Sequence, residues 1–102
     1  MKYDITLFPV SDDDKQLMDE TGQPVNYRKL LIRICAAEVD GQGQPIRGEA
    51  KMQRYEIYSK LKKATTSIEL DSEETSLLIS AALAFPTIVA GQVRDYLNQK
   101  ET

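Results

Sequence analysis

The sequence has no histidine and no tryptophan, and its single cysteine is Cys35. The missing histidine removes the commonest general base and metal ligand. One cysteine alone forms no internal disulfide, holds no zinc and has no imidazole to activate it as a nucleophile. The phosphate-cradling GxGxxG and GxxxxGK[ST] patterns do not occur, nor does the GxSxG of a serine hydrolase. The expectation is a non-enzymatic chain with no catalytic residues, no cofactor and no metal ligands.

Long hydrophobic runs are equally scarce. The longest apolar stretch, residues 77–90, is interrupted by Ser80, Pro86 and Thr87, so no bilayer span and no membrane partner are expected. The opening MKYDITLFPVSDDD lacks the cationic start and continuous apolar core of a secretory signal. A lone cysteine gives no reason to invoke an oxidising compartment, and the expected location is the cytoplasm. What remains is ordinary globular composition, 41% apolar and 28% charged, at a length that closes one hydrophobic core. A single domain over residues 1–102 is expected, with a hairpin segment (1–26), a helical part (27–98) and a frayed tail (99–102).

The patterning predicts an α+β fold, helix-rich, with a small N-terminal β-hairpin packed on about four helices. Tyr3, Ile5 and Leu7 alternate as in a strand that Pro9 closes, and Thr21-Gly22 forms a turn between Leu17-Met18 and Pro24-Val25. Two strands alone are marginal in water, so this sheet must lean on helices. Tyr27, Leu30, Leu31 and Ile34 then follow helical spacing behind Asn26, an N-cap residue, and predict a helix over 27–39. DGQGQP (40–45) is a loop, residues 47–64 form a second helix, and 67–70 form an extended piece able to join the hairpin.

Asp71 or Ser72 caps a third helix, whose TSLLISAALAF is apolar on nearly all sides. Such a helix is central to a core or shared with another subunit. Pro86 breaks it, and a fourth helix follows with Val89, Val93, Tyr96 and Leu97 on one face. Ala90-Gly91 there would admit a close backbone neighbour. The expected core is Leu30, Leu31, Ile34, Ile57, Leu61, Leu77, Leu78, Ala81, Ala82, Phe85, Val89, Val93 and Leu97. The third helix and the Val89/Val93 face are the expected surface for homo-oligomer contacts.

Charge of one sign is concentrated in one place. RGEAKMQRYEIYSKLKKA (47–64) carries six Lys and Arg in a chain of net charge −3. At 100° per residue, Ala50, Ile57, Leu61 and Ala64 form a buried stripe. Beside it lie Arg47, Lys51, Arg54 and Lys62, interleaved with Tyr55 and Tyr58, which make the candidate partner-binding face. Cations mixed with aromatic rings suit an acidic protein surface, or phosphates with stacked bases. The bland alternative is the wet face of a helix whose Lys stems cover apolar neighbours and meet the chain's own acids. Low overall charge disfavours nucleic acid as the main partner.

Two other patterns fail on inspection. SDDDKQ (11–16) resembles a calcium loop, but Leu17 stands where Gly is required and Gln23 where the bidentate Glu belongs. A helix-turn-helix around Phe85-Pro86-Thr87 would offset Arg94 and Lys100 with Asp95 and Glu101.

Three segments carry a resemblance: DETGQPVNYRKLLIRICAAE, with a D-x-x-G-x-P turn leading into a helix; GEAKMQRYEIYSKLKKA, with an E-x-K-x-x-R-[YF] core; and SIELDSEETSLLISAALAFPTIVAGQVRDYLN, with a Pro break before V-x-G-Q-V-x-x-x-L. Together, over about residues 19–98, they resemble small proteins of tailed bacteriophages and prophages, mostly of unassigned function. In such proteins the third helix carries more Lys; here it is apolar, which favours burial or self-association. The resemblance implies a helix-rich α+β fold, a phage or prophage origin in the host cytoplasm, and no particular activity. The expected function is that of an accessory protein acting through protein–protein contacts with an acidic partner. The alternatives are a nucleic-acid-binding regulator and a minor virion or assembly component.

Overall fold

The computed structural model describes residues 1–99. Among these, the element order is β1 (Lys2–Asp4), α1 (Tyr27–Ala36), α2 (Glu49–Lys63), β2 (Ser67–Glu69), α3 (Ser72–Ala82) and α4 (Thr87–Leu97). The fold is α+β and helix-rich, with four helices and a two-stranded antiparallel sheet. β1 pairs with β2 in the register Lys2↔Glu69, Tyr3↔Ile68 and Asp4↔Ser67. The extended piece at 67–70 is thus the direct partner of the N-terminal strand. The hairpin expected over 17–25 survives as a single bridge, Met18↔Pro24, around a tight turn. Of the tail expected to fray, only Gln99 lies within the described residues.

Local signals account for the helix starts. The Asn26 side chain accepts from the Lys29 amide at the start of α1. Asp71 and Glu74 form a reciprocal capping box on α3, with Glu73 and Glu74 in its positive first turn. Pro86 precedes α4. The helix ends were harder to place. α1 stops at Ala36 rather than at Val39, because Ala37 turns extended and Val39 bridges Pro45.

That early stop leaves carbonyls at the end of α1 without helical partners. Arg54, from the middle of α2, supplies the donors: Nη1 reaches the Ala37 oxygen at 2.8 Å and the Ile34 oxygen at 3.4 Å. The arrangement is reciprocated at the other end of the pair. Arg28, in the first turn of α1, donates from Nε to the oxygens of Leu61 and Ala64 and from Nη2 to Lys62. Each helix of this antiparallel pair therefore caps the C-terminus of the other with a guanidinium, where the helix dipole is negative.

The core is one cluster that includes Tyr3, Ile5, Val25, Tyr27, Leu30, Leu31, Ile34, Cys35, Ile57, Leu61, Ile68, Leu70, Leu78, Ala81, Ala82, Val89, Val93, Tyr96 and Leu97. Leu77 and Phe85, expected inside, are only half-buried against it. Three tyrosines tie the N-terminal strand and the start of α1 to α4. Tyr27 stacks on Tyr96 at 3.8 Å, the Tyr96 hydroxyl donates to the Asp4 oxygen, and the Tyr3 hydroxyl donates to the Leu97 oxygen. No buried polar side-chain atom among the described residues lacks a partner.

Two expectations concern the packing of α4. Val89 and Val93, expected on a surface for a second copy, are buried in their own core. Gly91 has open space where a Cβ would stand. The glycine that permits a close approach is Gly41, where a Cβ would lie 2.5 Å from the Ser80 oxygen. It seats the loop after α1 against the end of α3.

Leu78 is fully buried. Leu78→Asp places an unpaired charge in the core and should leave no cooperative thermal transition by circular dichroism; an unchanged transition would contradict this placement of α3. Arg28→Ala and Arg54→Ala should each lower stability by about 1–3 kcal/mol, the cost of carbonyls left without donors. The two arginines share no partner, so the losses should add in urea unfolding of the double variant.

Candidate functional site

The expected binding face is built on α2, and the structure keeps most of it together. Gly48, at φ 60°, starts the helix just after Arg47, and the helix runs without interruption to Lys63. Lys51, Tyr55, Tyr58 and Lys62 share one flank of the helix. The rings of Tyr55 and Tyr58 stack at 6.0 Å, and Lys62 Nζ stands 5.9 Å from the Tyr58 ring centroid. Tyr58 is half-buried, whereas Tyr55 is 62% exposed.

Arg54 does not belong to this surface. It is 5% exposed, turned inward to the carbonyls of α1. The signal was present in the sequence: Ala50, Arg54, Ile57, Leu61 and Ala64 follow a single helical stripe, with Arg54 between core positions. Its spacing marks it as an inside residue despite its charge. The remaining cations are only partly available. Lys51 pairs with Glu38 at 3.5 Å, and Lys60, on the opposite flank, with Glu74 at 2.9 Å. Arg47 and Lys62 form no ion pair with a described residue.

A cleft of about 310 Å³ opens between the end of α1 and this flank, with Glu38, Ile46, Lys51, Met52, Tyr55 and Tyr58 among its lining residues. Met52, which is 60% exposed, and Ile46 also belong to it, and no charge or aromatic pattern in the sequence marks them. The arrangement is an apolar-aromatic patch with cations at its margin. It offers contact area and orientation. Elsewhere the rejected patterns resolve into structure. SDDDKQ forms a tight turn bridged by Val10 and Gln16, and Arg94 is paired with its neighbour Asp95. Lys100 of the would-be recognition helix lies outside the described residues.

No helix among the described residues is long and apolar enough to cross a membrane. Compared with family models, curated proteins and solved structures, the chain matches none of them.

Cys35 sits at the floor of the cleft, and burial pushes its thiol up to about 12, against the smaller opposing pull of the Arg54 charge. In the unfolded chain a thiol titrates near about 8.5, so the folded state holds its proton longer. Stability from this group is complete below that unfolded value and falls as pH rises toward the folded one, by about 1.4 kcal/mol per pH unit. Burial also raises Tyr27 and Tyr96, which extends the loss to higher pH. Urea unfolding at a series of alkaline pH values should show the decline, and Cys35→Ala should flatten its first part. A variant as steep as the wild type would count against this assignment.

Proposed function

We propose that the protein is a non-enzymatic accessory protein of phage or prophage origin that works by contact with another protein, and that its α2 face receives an acidic partner. The observation that carries this reading is the exposure of Tyr55 and Met52 on the flank that holds Lys51 and Lys62. Large apolar and aromatic side chains left in water gain most by being covered, while marginal cations set which partners may cover them. The origin rests on the three sequence segments described above.

The same features favour protein over nucleic acid. Phosphate contacts need several unshared cations, and here Arg54 is inside and Lys51 is shared with Glu38. Tyr55 and Tyr58 are stacked on each other, which leaves less ring face for bases.

Fluorescence anisotropy tests the reading directly. The probes are a labelled peptide alternating Glu with Leu and Phe, the same peptide with Gln for Glu, and single- and double-stranded oligonucleotides, at low and physiological salt. The acidic peptide should bind, the Gln peptide should bind at least about tenfold more weakly, and Lys51→Glu/Lys62→Glu should abolish the difference. No binding of the acidic peptide at low salt would remove the reading. Steeply salt-dependent oligonucleotide binding, lost in the same variant, would replace it with the nucleic-acid alternative.

A further inference from the structure

A helix on the outside of a small domain normally presents one flank to water and one to the core. α2 presents three. Ile57, Leu61 and Arg54 point inward, and Lys51, Tyr55, Tyr58 and Lys62 occupy one outer flank. On the opposite outer flank, Gln53, Glu56 and Lys60 face α3. There a groove of about 630 Å³ lies between α2 and the start of α3, with Gln53, Glu56, Glu73, Ser76 and Leu77 among its lining residues. The two flanks differ in sign and in shape. One carries projecting Tyr55 and Met52 with cations around them; the other is concave, has half-buried Leu77 along it and carries Glu56 and Glu73 at its margin.

The remaining charges near the groove are already engaged. Asp71 and Glu74 form the capping box of α3, and Glu74 also holds Lys60. Glu56 and Glu73 form no ion pair with a described residue, as is true of Lys62 on the far flank and of Arg47 before the helix. The unspent acids and the unspent cations thus lie on opposite sides of one helix. Neither set can reach the other within a chain.

We propose that the acidic partner of the α2 face is the α2–α3 groove of a second copy of this chain, giving a head-to-tail contact. This rests on the reading of the α2 face as a binding surface and names what binds it. Tyr55 and Met52 of one copy enter the groove beside Leu77 of the next, and Lys51, Lys62 and Arg47 approach Glu56 and Glu73. Because the two surfaces are different patches on opposite flanks, the contact is heterologous, and it propagates into a ring or an open file of subunits rather than ending at a pair.

Sedimentation velocity over a range of protein concentrations, at low and at high salt, tests this with purified full-length chain. Species larger than a dimer should grow with concentration and shrink as salt screens the contact. Lys51→Glu/Lys62→Glu and Glu56→Lys/Glu73→Lys should each sediment as monomers, and mixing the two should restore association, because opposite charges meet again. All these substitutions are at exposed positions, and circular dichroism would confirm that both variants are folded. A wild type that is monomeric at every concentration in low salt would overturn the proposal, as would a fixed dimer or a mixture that stays monomeric. If the acidic peptide binds while the chain remains monomeric, only the identity of the partner is wrong; if neither associates, the binding surface itself is wrong.

Discussion

The antiparallel pair of α1 and α2 is held by an exchange of arginines, and the rest of the molecule is arranged around that exchange. Helices commonly close with a left-handed residue that satisfies their last carbonyls. Here the capping positions Ala37 and Ala64 are both extended, with ψ of 137° and 143°. Such an ending lets the chain leave the helix straight into the next segment, but it exposes carbonyls that need donors from elsewhere. Arg28 and Arg54 provide them across the pair. A guanidinium suits this place because its fork can address several oxygens at once and its charge meets the negative end of a helix dipole. The exchange also fixes register. Sliding one helix along the other by a turn would break both caps together.

Much of the fold was legible in the sequence because periodicity and capping signals agreed. Asn26, Asp71 and Pro86 each stand directly before a helix, and Leu30, Leu31, Ile34, Leu78, Val93 and Leu97 are core residues that spacing alone identifies. What escaped was decided by contacts far apart in the chain. Spacing puts Tyr3, Tyr27 and Tyr96 on apolar faces, but the distant partners of their hydroxyls and rings show in no local window. Arg54 escaped for a different reason: residue type outweighed position. Of the six residues expected on the binding face, Arg47, Lys51, Tyr55 and Lys62 are exposed, Tyr58 is half-buried and Arg54 is inside. Gly91 and Gly41 show the same limit, since only the packed structure tells which glycine has a neighbour.

One turn design recurs around α1. The bridges Val10↔Gln16, Met18↔Pro24 and Val39↔Pro45 enclose turns of one design. In each, the residue after the first bridge position donates its amide to a carbonyl four residues on, and a left-handed residue (Asp14, Gly22 or Gly43) donates back to it. The last two share the pattern D-x-x-G-Q-P, and Asp19 and Asp40 each gather nearby amides on one carboxylate oxygen. Asp14 shows that Gly is not obligatory, since Asp tolerates the left-handed region. Irregular segments on either side of α1 are therefore ordered by local chemistry, without regular sheet. Arg33, 3.8 Å from Asp19, ties the second of these turns back to α1.

The sheet gives the molecule a particular order of assembly. The helix pair joins segments close in sequence, and its turns close over a few residues, so both can form early. Pairing β1 with β2 requires the chain to return across two helices, and the Tyr3–Leu97 hydrogen bond spans 94 residues. Closing such distances costs chain entropy that only the finished core repays. The short strand β1 is therefore held by contacts distant in sequence, and it depends on the helices between them being in place.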